Sequence, residues 1–238
     1  MTNKNTEYSL EAEFDSFAEE YYKDHARNIE ITGENPEFFS EYKIRDLRNQ
    51  IDKIKAPAND IVDFGSGIGN SIPFFRKYFP ESALNCVDVS GKSIEISKNR
   101  FPGNEKYAQI SENRVPLADN SVDIVFSACV FHHIPHSEHV HWMAELRRIT
   151  KPGGSLFIYE HNPYNPLTLR AVNTCPFDAN AHLITAPLLR ARASDAGWVD
   201  NTTKYRMFFP SMLAKLRVLE KSITWLPLGA QYFLHARK

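Results

Sequence analysis

Short apolar runs rich in β-branched residues alternate along this chain with segments of helical periodicity. That alternation most constrains what the chain can fold into. Asp60–Phe64, Leu84–Asp88, Asp123–Ser127 and Ser155–Tyr159 are four such runs, with a weaker one at Lys106–Ile110. Ser71–Tyr78, Ser93–Arg100 and Ser137–Thr150 lie between them and read as helices. Apolar strands separated by helices bury both faces of a parallel sheet, so the pattern predicts a doubly wound α/β fold. Ligands of such sheets sit at the carboxyl ends of the strands. The chemically interesting residues are therefore expected just after each run.

The flanks read differently. Leu10, Phe14, Phe17, Ala18 and Tyr21 share one helical face. After the break at 32–36, a second helix is expected through Phe39, Lys43, Leu47, Ile51 and Ile54, stopping at Pro57. Beyond residue 160, Asn162–Ala186 reads as an irregular insertion, because its prolines remove donors and restrict their neighbours. Leu188–Ala196 and Met212–Leu219 read as helices, Thr203–Phe208 and Gln231–Ala236 as strands. The expected organisation is one domain: a helical cap over 1–57, a binding core over 58–160, and an insertion with C-terminal strands over 161–238.

The 238 residues carry a formal net charge of -1, which gives no global field to attract nucleic acid. No apolar stretch is long enough for a membrane helix, and the N-terminus has no apolar signal core. Cys86, Cys129 and Cys175 are scattered, as expected of free thiols in a reducing cytoplasm. A cytoplasmic monomer or homodimer is the expectation.

Asp63-Phe64-Gly65-Ser66-Gly67-Ile68-Gly69-Asn70 joins the first run to a helix. Three alternate glycines permit a sharp turn and close approach of a ligand to backbone. The spacing is not that of a dinucleotide fingerprint, since Asn70 stands where the third glycine would be. Asp63 would repel a pyrophosphate but suits an amine-bearing ligand. Asp88 ends the second run, where an acidic residue can accept both hydroxyls of a ribose.

The sequence I-V-D-F-G-S-G-I-G-N followed by C-V-D-V-S resembles the cofactor signature of class I S-adenosylmethionine-dependent methyltransferases, of the small-molecule, methyltransferase-11-like type. Val115–Val125, Phe131-His132-His133-Ile134 and Thr150-Lys151-Pro152-Gly153-Gly154 resemble the family's LPF-D-SFD-V, LHHI and LKPGG segments. The resemblance implies a Rossmann-like, seven-stranded, mostly parallel sheet with an antiparallel last strand under an N-terminal helical cap. It implies S-adenosyl-L-methionine as cofactor, with Asp63, Gly65, Ser66, Gly67, Gly69 and Asn70 around its methionine part. Asp88 and Val89 would hold the ribose, Ser111 or Glu112 the adenine amino group, and Ser127 and Cys129 would lie beside them. Tyr21 would cover the cofactor.

Transfer of a sulfonium methyl needs alignment and exclusion of water, and a hydroxyl acceptor is helped by a base. His132, His133, Glu160 and His161, at two strand ends, are the candidates. No metal is expected: five histidines cluster between His132 and His141, but Pro135 interrupts them and no carboxylate or thiol completes a ligand spacing. The insertion is expected to form a lid with the N-terminal helices, with Arg170, Asn173 and Asp178 as polar contacts. The expected activity is methyl transfer to a hydroxyl or amine of a small molecule or glycan in bacterial-type metabolism. The alternatives are a non-catalytic S-adenosylmethionine-binding regulatory subunit and a nucleotide-binding Rossmann enzyme. An antiparallel pair at the C-terminus would speak against the latter, and the D/N-P-P-Y/F motif of nucleic-acid amino methylation is absent.

Overall fold

The computed structural model describes residues 33–111 and 113–238. Helix α1 spans Pro36–Ile54. Asn35 caps it by accepting a hydrogen bond from the Phe38 N–H, and Pro36 sits at the first turn, where its missing donor is harmless. Lys55, in the left-handed region at φ 54°, ends it two residues before the expected stop. Then follow β1 (Asp60–Phe64), α2 (Ile72–Tyr78), β2 (Ala83–Asp88), α3 (Gly91–Arg100), β3 (Lys106–Gln109), β4 (Val122–Ala128), α4 (His139–Ile149) and β5 (Thr150–His161). The C-terminal part adds α5 (Pro166–Thr174), α6 (Ala186–Asp195), β6 (Val199–Arg206) and β7 (Gln231–Arg237).

The seven strands lie in the order β3-β2-β1-β4-β5-β7-β6. Adjacent pairs from β3 to β5 are parallel, and β7 runs antiparallel to both β5 and β6. This is the doubly wound, mostly parallel sheet that the sequence predicts, with its last strand reversed. Alternation of side chains across the strands supplies two cores. On one face Val62, Phe64, Val125 and Leu156 pack under α4 and α6 through Trp142, Leu146 and Leu189. On the other Ile61, Ile124, Phe126 and Tyr159 pack under α1 and α2 through Ile44, Leu47, Ile51 and Phe75.

Three local expectations need correction. The fourth apolar run does not begin at Ser155: Thr150–Gly154, the segment that resembles LKPGG, already belongs to β5. Its register jumps between Val122↔Thr150 and Ile124↔Ser155, so the Pro-Gly-Gly residues are absorbed as a bulge beside β4. The insertion is not wholly irregular. Pro166 occupies the first turn of α5 and the Asn165 side chain accepts from the Thr168 N–H, so the same prolines that break one helix start another. Residues 211–222 form 3-10 turns interrupted at Leu213 rather than a regular helix. The expected helix over 10–21 lies outside the described residues.

Candidate active site

The chain order places β1 beside β4 at the point where the sheet changes direction of growth, and the crevice beyond their carboxyl ends is the natural ligand site. A cavity of about 320 Å³ opens there, within the range of small-molecule sites. The glycine loop forms one wall. Gly65 donates its N–H to Val87 O at 2.8 Å, and Gly67 donates to Asp88 Oδ2 at 2.7 Å. The other Asp88 oxygen accepts from Ser90 at 2.9 Å, so this carboxylate is fixed at the edge of the loop.

The glycines serve different ends. A Cβ on Gly65 would meet Val130 at 2.3 Å and one on Gly69 would meet Ser97 at 2.3 Å, so both are required by the protein's own packing. A Cβ on Gly67 (φ 51°) would have no atom within 4 Å, and this glycine faces the cavity.

Gly65, Ser66, Gly67, Asn70, Asp88, Val89 and Cys129 line the cavity. Gly69 stands behind it. Asn70 also accepts from Arg100 at 2.8 Å. Asp63 and Ser127, both buried, are not part of the lining. The Ser66 hydroxyl oxygen, in the lining, is buried with no hydrogen-bond partner among the described residues, as suits a site that receives a polar ligand, and Asp63 Oδ2 and the Ser127 hydroxyl oxygen behind it are likewise unpartnered there. Burial, with the Asp88 charge added, pushes the Asp63 carboxyl up to about 7. Ser111 is exposed, forms an isolated bridge with Arg114, and lies outside the lining, where Ile110 takes part instead. Tyr21 and Glu112 lie outside the described residues.

The four expected catalytic residues do not act as two separate pairs. His132 Nδ1 lies 2.6 Å from Glu160 Oε2, and Glu160 Oε1 accepts from the Val130 and Phe131 N–H groups at 3.0 and 2.7 Å. Glu160 is wholly buried behind the wall, whereas His132, His133 and His161 line the cavity. Asp178, on the turn Pro176–Asp178, brings a carboxylate oxygen to 3.5 Å from Nε2 of both His132 and His133.

The charges follow. Burial opposes a charge on His132, but Glu160 and Asp178 overcome it and hold this imidazole up to about 10. Burial and its charged neighbour push His133 down to about 3. Burial works against ionisation of Asp178, yet the imidazoles hold it down to about 2. Burial likewise opposes ionisation of Cys129, in the left-handed region at φ 59°, but His161 and then Lys43 pull its thiol down to about 7.

The insertion and α1, two of the elements expected to form a lid, both contribute to the cavity lining, though not through all the expected residues. Leu167, Thr168, Val172 and Asp178 from the insertion line the cavity, as do Phe38, Phe39, Tyr42 and Lys43 from α1. Arg170 and Asn173 are exposed and outside it. Sequence reasoning missed Met207–Pro210, Arg217, Glu220 and Gln231, which close the far wall. The aromatic pair Phe208-Phe209 directly after a strand was the available signal. Glu220 accepts from the Phe208 and Phe209 N–H groups at 3.0 and 3.2 Å and holds that wall in place.

Fold and crevice together define a doubly wound α/β domain with a ligand-sized cavity at its switch point. A family model described as a methyltransferase domain matches residues 62–158. That match spans about two fifths of the chain, and the segment is similar to the core of class I S-adenosylmethionine-dependent methyltransferases. Thiol S-methyltransferase TMT1B of Rattus norvegicus is 31% identical over 129 residues, covering 51% of each chain. Ubiquinone/menaquinone biosynthesis C-methyltransferase UbiE of Ectopseudomonas mendocina is 26% identical over 51% of this chain and 49% of its own. The chain thus spans about half the length of these curated relatives. A Thermotoga maritima S-adenosylmethionine-dependent methyltransferase structure superposes with a TM-score of 0.68 at 16% identity, over 97% of this chain and 100% of its own. Among the described residues no helix is long and apolar enough to cross a membrane.

Proposed function

We propose that the protein transfers the methyl group of S-adenosylmethionine to a hydroxyl or amine of a small molecule with an apolar body. The supporting observation is a single cavity that joins the Gly67–Asp88 loop to the His132–His133–Asp178 cluster. In this reading the cofactor's ammonium is attracted by the Asp63 carboxylate buried behind the glycine loop, its ribose hydroxyls meet Asp88, and its methyl group points along the cavity. Phe38, Phe39, Val172, Phe208 and Phe209 face the rest of that space, which favours an apolar acceptor over a glycan.

The transfer is a direct displacement, and the protein's part is to align the acceptor, shield it from water and help it shed a proton. In this reading His132 and His133 serve the acceptor, Glu160 orients His132, and the paired His161 and Cys129 serve the cofactor end. The relatives bear the names of a thiol S-methyltransferase and a C-methyltransferase, so they do not share an acceptor atom. Glu160 behind the wall orients His132, which lines the cavity, and this supports an enzymatic over a purely regulatory reading.

The test is calorimetry with S-adenosylhomocysteine, followed by transfer of labelled methyl to panels of apolar alcohols, phenols, amines and thiols. Saturable binding with turnover on one panel supports the reading. Failure to bind S-adenosylhomocysteine would end it.

A further inference from the structure

We infer that His132 Nε2, His133 Nε2 and the Asp178 carboxylate form a binding site for one divalent transition-metal ion of zinc type, its open position facing the acceptor. The three donor atoms lie within 4.8 Å of one another. They come from two distant segments, the loop after β4 and the turn Pro176–Asp178. The two segments are stitched together, since His182 donates its N–H to His132 O at 2.7 Å.

The separations carry the argument. Asp178 Oδ1 stands 3.5 Å from each Nε2. A charge-assisted N–H···O contact closes to about 2.7–2.9 Å. A tetrahedral ion bound at about 2.0–2.2 Å instead sets its donors about 3.3–3.5 Å apart. The contacts are too long for the first arrangement and suit the second.

A supporting layer is also present. Glu160 holds Nδ1 of His132 at 2.6 Å, which keeps a proton on that nitrogen and leaves Nε2 as the atom that would give up its proton to take the ion. Glu160 is itself held by two backbone N–H groups. Carboxylate–histidine–metal chains of this form raise ligand basicity and lock ring orientation. Two imidazoles and one carboxylate suit zinc better than magnesium or calcium, and three protein ligands beside a cavity leave a position for substrate.

The site's existence does not depend on methyl transfer, but its role rests on that reading. An acceptor R–XH bound through X would become more acidic and release its proton to water. The lone pair on X would then form the X–CH3 bond as the CH3–S bond breaks. The electron pair of that bond passes to sulfur, giving methylated acceptor and S-adenosylhomocysteine.

The experiment uses the full chain, metal-stripped and free of any histidine tag, titrated with zinc against a chromophoric chelator and with cobalt(II) followed by its visible absorption. One ion per chain is expected, with cobalt giving a tetrahedral spectrum. Asp178→Asn and His133→Gln should each bind zinc at least about 100-fold more weakly, and Glu160→Gln about 10- to 100-fold more weakly as a positioning residue. Each variant's affinity for S-adenosylhomocysteine should stay near that of the unaltered protein, which shows that it is folded. Absence of stoichiometric binding, or an Asp178→Asn variant that binds zinc as tightly as the parent, overturns the inference. Zinc binding without S-adenosylhomocysteine binding would leave the metal site standing and remove the methyl-transfer reading; the reverse result would do the opposite.

Discussion

At the scale of single residues, the proposed function assigns Asp88 and Asp63 different parts of the cofactor. The two Asp88 oxygens accept from Gly67 and Ser90, so Asp88→Asn keeps a carbonyl for one of these contacts and gives up the other, and is milder than removal of the side chain. It loses the charge and one acceptor toward the ribose. A hydrogen bond to a charged group is worth about 1.5–3 kcal/mol, so affinity for S-adenosylhomocysteine should fall about 10- to 150-fold in calorimetry. Asp63 gives a pH dependence instead. Its carboxyl is raised to about 7 by burial and by Asp88, so the ligand-free fold favours the protonated form. Its contribution to stability is full below its unfolded value near 4 and is lost as the pH rises toward 7. An ammonium ligand demands the ionised form, so affinity should weaken below about pH 7, by about tenfold per unit. Titrations in buffers on both sides of that value test this, and Asp63→Asn should bind weakly with a flat profile. A wild-type profile equally flat would show that Asp63 does not attract the ammonium.

At the scale of elements, a buried polar knot ties α1 to the far edge of the sheet. Arg206 of β6 donates to Asp46 of α1 at 2.9 Å, and Tyr159 of β5 donates to the same carboxylate at 3.0 Å. Arg206 also lies 4.6 Å from the centre of the Phe233 ring. Asp46→Ala would leave a buried guanidinium unpaired, at a cost of about 3–5 kcal/mol in urea denaturation. A loss under about 1 kcal/mol would mean that Arg206 reaches water. The strands were legible because short β-branched runs at regular intervals admit few other readings, and the glycine loop because its backbone demands are local. The knot was not, since Asp46 and Arg206 look like ordinary surface charges until α1 docks. Asp178 was named only as one of three polar residues in an irregular stretch. What sets it apart from Arg170 and Asn173 is its place on the turn after α5, and α5 itself was hidden by reading Pro166 as a breaker rather than a first-turn residue. The metal spacing was invisible for the same reason: the third donor is brought in by tertiary folding.

At the scale of the whole molecule, the cavity is bounded by α1, by the ends of β1, β2 and β4, by the insertion and by the segment before β7. It therefore draws on nearly every part of the described chain, and the Asp46–Arg206 knot and Glu220 link its walls at long range. A ligand that binds only the folded form stabilises it by RT ln(1 + [L]/Kd), or about 2.7 kcal/mol at a hundredfold excess over Kd. In a chain of this size each kcal/mol moves Tm by about 2–4 °C, so S-adenosylhomocysteine at that excess should raise Tm by about 5–11 °C. The rise should come in one transition, seen alike by far-ultraviolet circular dichroism and by fluorescence. Trp142, on α4, is buried in the core while Trp225, in the C-terminal part, is exposed, so emission reports on both regions. If the core melted at a higher temperature with ligand while the C-terminal part melted where it did before, the two halves would be energetically independent. The far wall, from Met207 to Gln231, would then belong to acceptor recognition alone. A single shifted transition would instead mean that filling the cofactor's end of the cavity also orders the acceptor's end before any acceptor arrives.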